Sequence, residues 1–255
     1  MIYGYMPSHH QIDTTIFFTE GRSMSGHAIG ILLLDAPYTL LPGDTANATT
    51  FEFPVLYKIV EGATVERVLA ADPSLNELII MAGKELEKQG VRAISGACGF
   101  FGNYQKEVAA ALSIPVFLSS LLQIPLICRS FKPDEKVGVI TATTKSLSLS
   151  LLSACGINDL STIVSVGFQD LPECRNITFS TGHFNSSKVE HELVRLAKEL
   201  VKKNPGVKVL LLECANLPTW AWAIQNATKL PVFDISTLIN WVYSGIVRRP
   251  FAGFV

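Results

Sequence analysis

Two cysteines, Cys98 and Cys214, lie in matched segments 116 positions apart. Sliding the chain on itself by that interval superposes Gly90 and Val91 on Gly206 and Val207, Ala111 on Ala227, and Pro115-Val116-Phe117 on Pro231-Val232-Phe233. Seven of the 28 aligned positions are identical, and Ile94/Leu210, Tyr104/Trp220, Val108/Ile224 and Ile114/Leu230 are near matches. Each cysteine follows an apolar run that reads as a strand and precedes a stretch that reads as a helix. A repeat with one thiol per copy predicts two like domains facing each other, their thiols meeting across a cleft. Two equivalent acid/base groups on opposite faces of one carbon are what inversion of a stereocentre requires.

A free thiol, with a pKa of ~8.5, is only a few per cent ionised at neutrality. A cysteine just ahead of a helix feels exposed backbone N–H groups and the positive end of the helix dipole. Both thiols are therefore expected to shift down, toward about 7, which needs roughly 2 kcal/mol of preference for the thiolate. One thiolate would remove a Cα proton while the opposite thiol delivers one. Cys128, Cys155 and Cys174 have no matched partner and no polar motif beside them, and they read as packing thiols.

The elements that must position the thiols alternate. In the first half, strands are expected at Ile29–Leu34, Phe53–Val60, Val91–Ala97 and Pro115–Leu118, with helices at 75–90, 105–112 and 121–128. The polar stretch Asp35–Thr50, rich in Pro, Gly, Asn and Thr, reads as a long loop, and residues 1–27 as irregular. The pattern restarts after Phe131, with strands at Lys136–Thr141, Thr162–Val166, Val207–Glu213 and Val232–Asp234. Helices are expected at 145–154, 187–203 (capped by Ser186 or Ser187), 219–228 and 236–247. This predicts an α/β protein of two pseudo-symmetric, doubly wound domains with parallel sheets and the active site in the cleft between them. The expected domains are 1–131 and 132–235, with the C-terminal helix 236–255 returning to the first.

Composition narrows the partners. The chain has 255 residues, 48% hydrophobic and 17% charged, enough for a sizeable core. Its net charge of −1, with no basic stripe, argues against nucleic acid. No apolar run reaches membrane-spanning length, no signal peptide is read at the N-terminus, and five scattered cysteines suit a reducing compartment. A cytoplasmic protein acting on a small molecule, without a membrane partner and with homo-oligomerisation left open, is expected. His9, His10 and His27 lack further ligands at metal-site spacing, so no metal is expected. His183 could line the cleft from its loop; His191 reads as solvated; Trp220 and Trp222 are candidates to wall a pocket.

The segments Ser95-Gly96-Ala97-Cys98-Gly99-Phe100-Phe101 and Leu211-Leu212-Glu213-Cys214-Ala215-Asn216-Leu217-Pro218 resemble the two cysteine motifs of the aspartate/glutamate racemase superfamily. That resemblance spans about Ile29 to Trp241. It implies two pseudo-symmetric α/β domains, Cys98 and Cys214 as the paired acid/base residues, and no pyridoxal phosphate or other cofactor. The triplets Cys98-Gly99-Phe100 and Cys214-Ala215-Asn216 differ from the Cys-Asn-Thr and Cys-Thr-His of glutamate racemases. The first is closer to the hydantoin racemase-like branch. Arylmalonate decarboxylases keep a cysteine only in the second half, so Cys98 argues against that reaction.

A racemase must also hold a carboxylate and stabilise a carbanion. The backbone N–H groups at Gly99, Ala215 and Asn216 are candidate donors. The loops after the first strand of each half add the candidate substrate contacts Asn47, Thr50, Thr141 and Thr144. The expected function is cofactor-independent racemisation or epimerisation of a small amino acid, or of a derivative such as a hydantoin, by a two-base mechanism. A maleate-type cis–trans isomerase and a non-catalytic carboxylate-binding protein on the same scaffold are the alternatives.

Overall fold

The computed structural model describes residues 24–38, 40–179 and 181–255. Most of the stretch read as an irregular N-terminus, including His9 and His10, lies outside the described residues, as does the signal-peptide reading.

The first half runs β1 (Ile29–Leu33), β2 (Val55–Ile59), α1 (Val65–Leu69), α2 (Leu75–Lys88), β3 (Ala93–Gly96), α3 (Gln105–Ala111), β4 (Val116–Phe117) and α4 (Ile124–Ile127). The second half runs β5 (Lys136–Thr141), α5 (Leu149–Ala154), β6 (Ile163–Gly167), α6 (Cys174–Thr178), α7 (Ser186–Lys203), β7 (Val207–Leu212), α8 (Ala221–Thr228), β8 (Val232–Phe233) and α9 (Ile235–Ile246). The strands form two four-stranded parallel sheets, ordered β2-β1-β3-β4 and β6-β5-β7-β8. The two orders are the same when each half is counted from its first strand, so the repeat seen in the sequence is a repeat of topology. In each sheet the order reverses between the first and third strands, and a crevice at their carboxyl ends is where ligands of such sheets bind. Cys98 follows β3 and Cys214 follows β7, so both stand at that crevice.

The central strands carry continuous apolar runs because helices cover both faces. Ile29, Ile31 and Leu32 of β1, Val137, Val139 and Ile140 of β5, and Leu210, Leu211 and Leu212 of β7 are all buried. The halves are tied by α9, which follows the second sheet yet packs Ile235, Leu238, Ile239 and Val242 against Ile29, Ile31 and Ala93 of the first. Asp234 starts this helix with a capping box, accepting from Thr237 N at 2.9 Å while Thr237 Oγ1 accepts from Asp234 N at 3.1 Å.

Three details differ from the sequence reading. The helix expected over 145–154 begins only at Leu149, because residues 144–146 form a 3-10 turn and Ser148 caps the helix from its own position. The longest helix is capped by Asn185, whose Oδ1 accepts from Lys188 N at 3.0 Å, rather than by Ser186 or Ser187. The stretch after Cys98 is a 3-10 turn over Gly99–Tyr104, and the α-helix starts only at Gln105.

Ile239 is 1% exposed in the seam between α9 and the first sheet. Its truncation to Ala should cost about 2–4 kcal/mol of unfolding free energy, read from urea denaturation. A loss below about 1 kcal/mol would mean that α9 does not clamp the halves.

Candidate active site

A cavity of about 290 Å³ opens at the strand ends between the two halves. Cys98 and Gly99 wall it from the first half, and Glu213, Cys214, Ala215 and Asn216 from the second. Asp44 enters from the loop after β1, and Leu33, Leu34, Ile59, Val65, Val68 and Leu69 supply an apolar side. Tyr38 and Phe100 add aromatic surface. Both cysteines are free and part-buried. They are close enough that a negative charge on Cys98 raises the pKa of Cys214.

The cavity exists because the halves meet closely here. A Cβ placed on Gly99 would lie 2.7 Å from Glu213 Cδ and deep inside the van der Waals radii of Glu213 Oε1 and its carbonyl oxygen. Gly43, at φ +102°, lies so near the Thr219 backbone that a Cβ would fall 2.6 Å from Thr219 Cα. Hydrogen bonds cross the same seam. Thr45 N and Oγ1 both donate to Ala215 O at 3.2 Å, and Ser120 Oγ donates to Leu212 O at 3.0 Å.

Two polar systems serve the thiols. The Cys214 thiol donates to Asn216 Oδ1 at 3.3 Å, while Asn216 Nδ2 donates to Asp44 Oδ2. Asp44 accepts Ala46 N at 2.8 Å with its other oxygen, so both of its oxygens are engaged. Burial pushes the Asp44 carboxyl up to about 6. Glu213 is wholly buried; its Oε2 accepts from Thr141 Oγ1 at 2.8 Å and from Ala142 N at 3.4 Å, while its Oε1 has no hydrogen-bond partner. Burial pushes Glu213 up to about 7.

These carboxyls overturn the expected thiol chemistry. Burial first, then the Glu213 charge, push Cys98 up to about 12 despite the N–H groups of Phe100 and Phe101. The same two causes raise Cys214 further, with the Asn216 N–H as the opposing donor. The expected downward shift fails because burial and the Glu213 charge outweigh the backbone N–H groups, and no α-helix begins directly after either cysteine to add its dipole. Residues 99–104 and 217–220 form 3-10 turns, and the helices start at Gln105 and Ala221.

Gly99, Ala215 and Asn216 line the cavity with the two cysteines. The four loop candidates do not. Asn47 is turned into its own loop, accepting Thr49 N at 2.9 Å and donating to Leu40 O at 2.9 Å. Thr50 donates to Asp44 O at 2.6 Å and accepts Gly43 N at 3.0 Å, bracing the loop that carries Asp44. Thr141 is fully buried and reaches the cavity only through Glu213, and Thr144 is the first residue of the exposed 3-10 turn after β5. His183 and Trp220 are not among the lining residues either; Trp220 is buried against Phe184, and Trp222 is exposed. Sequence reasoning passed over Asp44, Glu213 and Tyr38. Glu213 carried a signal, since a single acidic residue closes the apolar run Val207–Leu212 and must be buried with it.

No family model matches the chain. Among curated proteins, it is 33% identical over 236 residues to dimethylsulfoniopropionate lyase 3 of Emiliania huxleyi (strain CCMP1516), covering 89% of this chain and 61% of that protein. It is 32% identical over 233 residues to the dimethylsulfoniopropionate lyase of Durusdinium sp. clade D, covering 89% of this chain and 77% of that one. Unliganded arylmalonate decarboxylase superposes with a TM-score of 0.55 at 16% identity, over 86% of this chain and 92% of that one. Glutamate racemase RacE1 of Bacillus anthracis superposes with 0.54 at 14%, over 88% and 85%.

The fold is thus that of the aspartate/glutamate racemase superfamily, as the cysteine motifs implied; nothing in these likenesses singles out its hydantoin racemase-like branch. Within that fold, the chain belongs to the family of the dimethylsulfoniopropionate lyases, a family of enzymes. The expected racemase or epimerase is thereby corrected, and with it the maleate-type isomerase and the non-catalytic binder, because the relatives above 30% identity are lyases. Paired cysteines at matched strand ends do not by themselves name a reaction. Among the described residues no helix is long and apolar enough to cross a membrane, and no group of three or more His, Cys, Asp or Glu side chains could hold a metal ion.

Gly99→Ala should lower stability by about 1–3 kcal/mol or prevent folding, because backbone as well as side chain blocks the new methyl. Gly245→Ala in α9, where a Cβ meets nothing within 4 Å, should be neutral or stabilising by about 0.5–1 kcal/mol. Paired urea titrations read both. For Glu213, burial favours the protonated acid in the folded state. The stability this confers is complete below the unfolded pKa and is lost as pH rises through about 7. Glu213→Gln should therefore match the wild type near pH 5 and exceed it by about 3 kcal/mol near pH 8.5; equal stabilities at both pH values would contradict the burial account.

Proposed function

We propose that this protein is a lyase acting on dimethylsulfoniopropionate, or on a closely similar sulfonium carboxylate, with Cys98 as the base. The chain spans 61% of the length of the first two curated relatives and 77% of a third, whose names supply the substrate. The observation that carries the reading is the charge of the cavity. Its described lining includes two carboxyls and two thiols, and no Lys, Arg or His. Such a wall repels a simple anion and favours a ligand with a positive centre. The apolar side and the aromatic faces of Tyr38 and Phe100 suit the methyl groups of a sulfonium.

The chemistry is a β-elimination. The Cys98 thiolate takes the proton from the carbon next to the carboxylate. The C–H electron pair becomes the carbon–carbon double bond, and the bond from the β-carbon to sulfur breaks with its pair going to sulfur. The products are acrylate and neutral dimethyl sulfide, and the thiol later returns its proton to solvent. One base suffices, because the carbanion loses a leaving group instead of regaining a proton. Cys98 is the more easily ionised thiol, held by the N–H groups of Phe100 and Phe101, whereas Cys214 is engaged with Asn216. The sulfonium itself offsets the burial cost, since an opposite charge a few ångströms away favours the thiolate. Backbone N–H groups at Gly99 and Ala215 are the donors assigned to the substrate carboxylate and its developing enolate.

Wild-type protein supplied with dimethylsulfoniopropionate should release dimethyl sulfide and acrylate in equal amounts, followed by headspace gas chromatography and acrylate absorbance. Cys98→Ser should lower kcat by ~10²–10⁴-fold, the usual range for a lost general base. Cys98→Ser turning over at the wild-type rate would remove Cys98 from the role, and silence of the wild-type protein would remove the substrate.

A further inference from the structure

Glu213 is a charged residue that the elimination does not use, and its setting is unusual. It is 0% exposed, and one carboxyl oxygen is held by Thr141 and Ala142 while the other has no partner. That second oxygen is packed against Gly99, the residue after Cys98, at the cavity wall. A group retained only to join β5 to β7 would be served as well by an uncharged amide. An unpartnered buried carboxylate is costly unless positive charge reaches it. Among the described lining residues no basic side chain supplies that charge, and Asp44 has already committed both oxygens to Ala46 and Asn216.

Resting on the lyase reading, we infer that Glu213 determines specificity for a cationic substrate by setting a fixed negative charge behind the cavity wall, opposite the sulfonium. A sulfonium offers no N–H or O–H, so no hydrogen-bonding group can distinguish it from a branched alkyl group of the same shape. Charge can. At an effective dielectric of ~20 and ~6 Å, one buried carboxylate is worth a roughly 100-fold preference for the cation. The charge acts without contact, so the residue can remain sealed from water, where it is poorly screened.

Ionisation of Glu213 also makes the selectivity depend on pH. Because burial raises its pKa to about 7, the carboxylate fraction grows between about pH 6 and 8. The titratable groups whose ionisation senses it are Cys98, Cys214 and Cys155, all pushed upward and neutral in that window; Tyr38, also pushed upward, and Asp44, which ionises lower, at about 6, line the same cavity.

The test compares two unreactive ligands of one shape, 3-(trimethylammonio)propionate and 4,4-dimethylpentanoate, which differ only in the charge of the quaternary atom. Isothermal titration calorimetry on wild type and Glu213→Gln across pH 6–8.5 reads their Kd values. Wild type should prefer the cation, and the preference should grow with pH through about 7. Glu213→Gln should bind 4,4-dimethylpentanoate at least as tightly as wild type does, because a repelling charge is removed, and this certifies the folded cavity. It should also lose roughly 10-fold or more of the preference and its pH dependence near 7. With dimethylsulfoniopropionate, the lost attraction should appear as a raised KM. An unchanged preference in Glu213→Gln, or a wild type indifferent to charge, overturns the inference. Loss of 4,4-dimethylpentanoate binding as well would make Glu213 a structural residue and overturn it too. Failure of the wild type to cleave dimethylsulfoniopropionate bears instead on the lyase reading, because the ligand comparison needs no turnover.

Discussion

The active cavity depends on one close contact, the backbone of Gly99 against Glu213. Gly99 belongs to the turn after β3 and Glu213 to the end of β7, so this contact is where the strand ends of the two sheets meet. Any side chain at 99 would hold the halves apart. Without that approach, Cys98 and Cys214 would close two separate sheets; with it, they wall one cavity and sense each other's charge. The Thr45–Ala215 and Ser120–Leu212 hydrogen bonds and the α9 seam hold the geometry that the glycine permits.

The same contact sets the electrostatics. Bringing the halves together places a buried carboxyl beside two part-buried thiols; its charge raises the pKa of both, and a charge on Cys98 raises that of Cys214 as well. Both thiols are held neutral, which limits their reactivity toward oxidants and adventitious electrophiles, since the thiolate is the reactive form.

The same fold is found in an arylmalonate decarboxylase and a glutamate racemase, while the relatives above 30% identity are lyases. Here the walls are apolar, aromatic and acidic. The fold alone could not have separated these reactions, because it fixes the placement of the strand ends and leaves the lining residues free to vary.

Much of this was legible from residue order. The 116-residue repeat and the alternation of apolar runs with amphipathic helices determined the two parallel sheets, their shared topology and the location of both cysteines at strand ends. These properties are local or periodic, and hydrophobic patterning reports them directly. The thiol pKa direction, the roles of Asp44 and Glu213, and the exclusion of Asn47, Thr50, Thr141 and Thr144 from the cavity were decided only by tertiary structure. Whether a threonine faces a ligand or braces the fold depends on which distant atoms come within 3 Å of it, as Glu213 Oε2 does for Thr141. Whether a thiol ionises depends on how much water the opposite half removes from it. Both are sums over contacts between segments far apart in the chain, which spacing along one strand of sequence does not encode.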